Sequence, residues 1–149
     1  MFRFLLALHI LFAVFAIGPL VHAATTASRG VRRGDGAATA ASARLLRVYS
    51  YASVLVVLVG FALMSTTSVF TGKKAAEFGD TYIWLSVLLY VVAIALIVAI
   101  VIPALDRATQ IITEQGSVVT LTGRVAAAGG LVGLIFAGIV FLMVYRPGT

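Results

Sequence analysis

Long apolar runs separated by short polar connections dominate this sequence. A helix needs about 20 mostly apolar residues to cross the hydrocarbon core of a bilayer. No acidic or basic residue interrupts the four longest runs, and only two histidines, both in the first, can ionise near neutral pH. Backbone polar groups cannot stay unpaired in hydrocarbon, so each run should be helical. The pattern predicts an all-α membrane protein of one domain, residues 1–149, with four spans at residues 4–23, 48–70, 82–105 and 125–145.

The composition supports a lipid environment. Hydrophobic residues make up 62% of the chain and charged residues only 11%, whereas a soluble domain carries about 25% charged residues. The net charge of +6 lies in the connections between apolar runs. This arrangement fits anionic lipid headgroups better than nucleic acid, because no folded basic domain remains outside the helices. We therefore expect the lipid bilayer as the main partner and no nucleic acid.

The basic residues also predict an orientation. Seven of the eleven Lys and Arg residues lie in the first and third connections, and four lie at the opposite end of the helices. Cytoplasmic connections carry the excess of Lys and Arg in membrane proteins. We expect a four-transmembrane-helix bundle with both termini outside (N-out/C-out), in the cytoplasmic (inner) membrane of a bacterium.

The first connection, residues 24–47, divides into two parts. Residues 24–36 are small, polar and basic and should be flexible. Asp35 then precedes an alanine-rich stretch, so the second helix should begin there, about three turns before the membrane. Five arginines of this connection are expected to bind lipid headgroups or to fix the topology: Arg29, Arg32, Arg33, Arg44 and Arg47.

The first run has a second interpretation. Arg3 before an apolar stretch that ends in Val21-His22-Ala23 resembles a cleavable signal peptide. The stretch is longer than the apolar part of a usual signal peptide, so we expect the first helix to be retained.

His9 is the ionisable side chain deepest in a predicted span, about 9 Å from its outer end at 1.5 Å per residue. Such a residue should face protein or water and marks a candidate functional site. Four other polar residues share its leaflet, and we expect them to form a polar cluster with it. They are Tyr90, Ser86, Ser65 and Thr66. The cluster either binds a ligand such as haem or a quinone, or only holds the helices together through hydrogen bonds.

Other chemistry is sparse. The chain has no cysteine, and the spans contain no carboxylate for acid–base work. His22 lies about 20 Å along the helix from His9, so the two cannot bind one metal ion. We expect no metal site and no catalytic residue. Haem stays a possible cofactor, although the chain lacks a second histidine suitably placed to ligate it.

Small residues recur on the fourth run. Gly129, Gly133 and Ala137 are spaced four residues apart, and Ala126 with Gly130 makes a second small pair. Small residues let helices approach closely. This face either packs within the bundle or binds another copy of the chain or a larger membrane complex.

The segment Leu8-His9-Ile10-Leu11, with Gly18 further along the same helix, carries a resemblance. Four short spans with this opening resemble an uncharacterised family of small bacterial predicted integral membrane proteins. More loosely, they are similar to copper-resistance D-like proteins and haem-biosynthetic membrane oxidases, which also place a histidine early in the first helix. The resemblance implies a four-helix membrane fold.

Three functional hypotheses follow. The leading one is a non-enzymatic accessory or assembly subunit of a membrane complex that binds through its small-residue face. The second is a haem- or quinone-binding protein built around His9 and Tyr90. The third is a small oligomeric channel or exporter. We find no convincing internal repeat of the kind that marks many transporters.

Overall fold

The computed structural model describes residues 1–66, 72 and 80–147. Within these residues there is no β-strand, and four helices are long and apolar enough to cross a membrane, which confirms the predicted fold class. Two of the four contain a short π-helical turn that joins two α-helices. The α-helices are α1 (Phe2–Phe12), α2 (Gly18–Arg32), α3 (Gly36–Met64), α4 (Thr81–Leu96), α5 (Ile102–Thr113) and α6 (Val119–Tyr145).

The four spans pack side by side in a ring. The first span, Phe2–Arg32, contacts the second, Gly36–Met64, and also the fourth, Val119–Tyr145. The third span, Thr81–Thr113, likewise contacts the second and the fourth. Consecutive helices are therefore neighbours, and the last helix closes the ring against the first, as in an up-and-down four-helix bundle.

The helices are longer than a bilayer requires. The spans contain 27 to 33 residues, which corresponds to about 40 to 50 Å of helix against a hydrocarbon core of about 30 Å. Residues 24–32, expected to be flexible, instead continue the first helix as part of α2. Ala24, Ala27 and Val31 form one buried stripe at helical spacing, so burial outweighs the small and polar composition of this segment.

The turn between α2 and α3 has well-defined hydrogen bonds. Gly34 takes a left-handed conformation with φ of 65°. The Asp35 N–H donates to the Gly30 carbonyl at 2.9 Å, and the Gly34 N–H donates to Val31 at 3.1 Å, the pattern of a Schellman motif. The Asp35 side chain then accepts from the Ala38 N–H at 3.0 Å. This cap confirms the predicted start of the second helix.

The first and third spans share a local irregularity. In the first, the π-helical turn Ala13–Ile17 lies just before Pro19, and in the third, Ile97–Val101 lies just before Pro103. Proline has no N–H to donate and its ring crowds the preceding turn, and a π-helical turn absorbs that disruption without ending the helix. The two halves of the chain therefore carry the same feature at matching positions, although their sequences show no clear repeat.

Most of the buried core lies toward the end of the bundle that carries the arginine-rich first connection, which we call the basic end. The side chains of Leu20, Val31, Leu46, Leu105 and Val125 are fully buried there or next to it. Along the rest of the spans many large apolar side chains face outward, as expected for helices surrounded by lipid.

Candidate functional site

His9 contacts the backbone of the second span. Its Nδ1 lies 3.0 Å from the Val56 carbonyl oxygen, and because a carbonyl can only accept, Nδ1 must carry the proton and donate. Gly60 makes room for the ring, since a Cβ on that residue would lie 3.1 Å from His9 Cε1. In the described part of the chain no group hydrogen-bonds Nε2 of His9, which leaves its lone pair available.

Tyr90 joins three helices. Its hydroxyl lies 2.7 Å from Ser53 Oγ, and Ser53 Oγ donates to the Ser50 carbonyl at 2.7 Å. The single proton of Ser53 is thus used, so Tyr90 is the donor of the shared bond. The Tyr90 ring meets Phe136 of the fourth span edge-on, with centroids 6.4 Å apart. Sequence reasoning missed Ser53 because it looked for partners in the outer leaflet alone.

The predicted polar cluster does not form a hydrogen-bonded unit. His9 and Tyr90 reach the second helix through different groups, and no hydrogen bond joins them. Ser65 Oγ and Thr66 Oγ1 each donate to a carbonyl of their own helix at 2.7 Å. Ser86 is 2% exposed, and its hydroxyl has no hydrogen-bond partner among the described residues. Short hydroxyl side chains satisfy themselves within the helix, and Ser65 and Thr66 therefore make no hydrogen bond to His9 or Tyr90.

The small-residue face of the fourth span packs within the bundle at two of its three positions. A Cβ on Gly129 would lie 2.0 Å from the Ala24 carbonyl oxygen, and one on Gly133 would lie 2.9 Å from Thr25 Cγ2. Both glycines therefore hold the first and fourth spans in close contact. Ala137, the third member of the predicted series, is exposed.

The second small pair lies outside that contact. Ala126 and Gly130 are exposed, and a Cβ on Gly130 would meet no atom within 4 Å. At about 100° per residue, Ala126, Gly130 and Ala137 lie within about 40° of one another around the helix. We call these three residues the outer small face.

The arginines of the first connection lie on the surface of the basic end. Arg47 makes an ion pair with Asp106, which joins the second and third spans. At the opposite end Arg146 Nη2 donates to the Tyr82 hydroxyl at 2.7 Å. Neither pairing could be predicted from the sequence, since the partners are far apart along the chain. The other predicted headgroup residues, Arg29, Arg32, Arg33 and Arg44, are exposed.

An open groove of about 320 Å³ lies between the third and fourth spans at the basic end. The apolar residues of its lining are Ala99, Ile100, Pro103, Ala104 and Leu121, and two arginines complete it, Arg107 and Arg124. Sequence reasoning used these arginines only to orient the chain. Their spacing along the chain gave no indication that they would meet at one groove.

The described residues contain no group of three or more His, Asp or Glu side chains close enough to hold a metal ion. His22 is exposed, and its carbonyl accepts a hydrogen bond from Thr26 Oγ1 at 2.6 Å.

The chain matches a known family over almost its whole length. Residues 3–147 match the family described as "Predicted integral membrane protein (DUF2269)". Searches of curated proteins and of solved structures found no significant match.

Proposed function

The chain belongs to this family of predicted integral membrane proteins, and from that premise we propose that it is a non-enzymatic accessory or assembly subunit of a membrane complex. It crosses the membrane four times as helices. Its proposed partner is either a second copy of the chain or a helix of a larger assembly.

One observation carries the proposal: the outer small face stays exposed in a bundle that uses its other close-approach glycines internally. Gly129 and Gly133 are occupied by the first span, whereas Gly130 is open. In lipid, small residues favour helix association because they allow backbones to approach closely. A partner helix could therefore approach Gly130 as closely as the first span approaches Gly129.

Native mass spectrometry of the full chain, extracted in a mild detergent, tests this proposal. We expect a species heavier than the monomer that is lost when Gly130→Leu fills the face. The neighbouring change Leu131→Phe, about 100° away around the helix, is the matched control and should leave the species unchanged. The mass of the heavier wild-type species distinguishes a dimer from a larger complex. A strictly monomeric wild-type chain would contradict the proposal.

We place the protein in a bacterial inner membrane with both termini outside and the basic end in the cytoplasm. The support is the charge distribution, with seven Lys and Arg residues in the first and third connections against four at the other end. Lys73 and Lys74, two of those four, lie outside the described residues.

A second candidate function is haem or quinone binding at His9. The observation that favours it is the fixed tautomer, because a histidine that donates Nδ1–H to a backbone carbonyl presents Nε2 as a ligand. Tyr90 would take no direct part, since its hydroxyl is held by Ser53. Haem titration of the purified chain tests the haem reading. A Soret shift that is lost in His9→Ala and kept in His22→Ala would support it, and no shift in the wild type would exclude it.

The third hypothesis, a small oligomeric channel or exporter, stays a prediction. It needs a ring of copies around a water-filled path. Ion flux across vesicles that contain the purified chain would test it, and tight vesicles would exclude it.

A further inference from the structure

We infer that the groove between the third and fourth spans is a binding site for an anionic phospholipid, with the phosphate at Arg107 and Arg124 and an acyl chain below them. The site is separate from the outer small face and does not depend on the proposed subunit function.

The two arginines at the groove are not neutralised by a neighbouring acidic side chain in the described part of the chain. Neither Arg107 nor Arg124 makes a hydrogen bond or ion pair with another described residue. The nearest carboxylate along the helix, Asp106, is held by Arg47. Glu114 lies seven residues from Arg107, about 10 Å along the helix. Two arginines on neighbouring helices therefore line the groove without a counter-ion from α5, and a phosphate group is an anion whose geometry their guanidinium groups match.

The rest of the groove is apolar and runs toward the centre of the bundle. Ala99, Pro103 and Arg107 are four residues apart and form one line on the third span, about 12 Å long. Ala99 and Pro103 are exposed, while Ala104 and Leu121 are buried and form the floor. Small side chains along this line leave a trough below the charges. The π-helical turn that absorbs Pro103 includes Ala99 and Ile100, so the backbone irregularity contributes to the shape of the trough.

The combination favours a lipid over a free anion. A soluble phosphate would use the two arginines and leave the apolar trough empty, whereas a phospholipid fills both parts at once. Arg107 follows the last apolar turn of the third span and Arg124 precedes the first apolar turn of the fourth, which places both at headgroup depth. Basic pockets between transmembrane helices on the cytoplasmic side bind anionic headgroups in the same way.

Native mass spectrometry of the full chain with added phosphatidylglycerol, and with phosphatidylcholine of the same acyl chains, tests the inference. We expect tighter binding of phosphatidylglycerol. In Arg107→Gln/Arg124→Gln its affinity should fall about 30-fold, from the effect of two arginines at a membrane surface. Arg29→Gln/Arg32→Gln removes the same charge from the same end, at arginines predicted to contact headgroups outside the groove, and should lower the affinity for phosphatidylglycerol less than the groove pair does.

A second pair of variants tests the trough without changing charge. Ala99→Trp should block the acyl chain and weaken binding, while Ala95→Trp, one turn away on an exposed position of the same helix, should not. Equal binding of the two lipids, or wild-type binding by both the Arg107/Arg124 and the Ala99 variants, would overturn the inference. Displacement of bound phosphatidylglycerol by millimolar inorganic phosphate would also overturn it, because the site would then be one for a free anion.

Discussion

Gly129 lies so close to Ala24 that a methyl group on the glycine would come within 2.0 Å of the alanine carbonyl oxygen. This contact closes the ring of four helices, because it holds the last span against the first. The group that would clash with a larger residue is the Ala24 backbone carbonyl, and a backbone group cannot rotate away as a side chain can. The close approach therefore depends on glycine at this position.

Gly129→Ala should lower the stability of the bundle by about 1 to 3 kcal/mol or more, because the first and fourth spans must separate to admit the methyl group. The measurement is thermal unfolding of the purified chain in detergent. Gly138→Ala is the matched control, since a Cβ there meets no atom within 4 Å. An unchanged melting temperature in Gly129→Ala would show that the first and fourth spans do not meet at this residue.

Tyr90→Phe should destabilise the bundle by about 0.6 kcal/mol and by no more than about 1.7 kcal/mol, as measured for hydrogen bonds between the helices of a membrane protein. The bond to Ser53 is 2.7 Å long and joins the second and third spans. A double-mutant cycle with Ser53→Ala isolates the pair. Tyr145→Phe, at an exposed tyrosine, should have no effect. Additive losses in the cycle would mean that the two hydroxyls do not interact.

Gln115→Gly should raise stability by about 1 kcal/mol. Gln115 has φ of 59°, and a left-handed conformation costs a residue with a Cβ about 1 to 2 kcal/mol. The turn has the same hydrogen bonds as the one at Gly34, with the Gly116 N–H donating to Ile111 at 2.8 Å. Gly34→Ala should lower stability by a similar amount. Chemical unfolding of both variants measures the change in the free energy of unfolding, which should be positive for Gln115→Gly and negative for Gly34→Ala. Changes of the same sign in both variants would contradict the prediction.

The orientation can be tested with single cysteines, because the chain has none of its own. Glu114→Cys, in the turn at the basic end, should react with a membrane-impermeant maleimide only after the membrane is opened. Pro147→Cys, past the end of the fourth span, should react in intact cells. The reverse result would invert the proposed topology.

The helices could be predicted from sequence because an apolar run must be helical in hydrocarbon, where its backbone polar groups have to bond to one another. The cap at Asp35 could be predicted because it involves only residues that are close in sequence. The extension of the first helix to Arg32 was missed. Residues 24–32 look like a polar connection until the stripe of Ala24, Ala27 and Val31 is matched to the helices that bury it. Burial of this stripe depends on tertiary contacts, which cannot be predicted from the composition of the segment.

The candidate sites were harder to predict because they depend on where side chains point. His9 was identified from its depth in the span, but its contacts with Val56 and Gly60 depend on how the first two helices are rotated against each other. The two arginines of the groove lie 17 positions apart on different helices. Only helix packing brings them to one place.

The most direct test of the central claim, that the outer small face binds a partner helix, is cysteine cross-linking in native membranes. Gly130→Cys should give a cross-linked product, either a dimer or an adduct of defined larger mass. Leu131→Cys, also at an exposed position but on another side of the helix, should stay monomeric. No product from Gly130→Cys, or equal products from both variants, would contradict the claim.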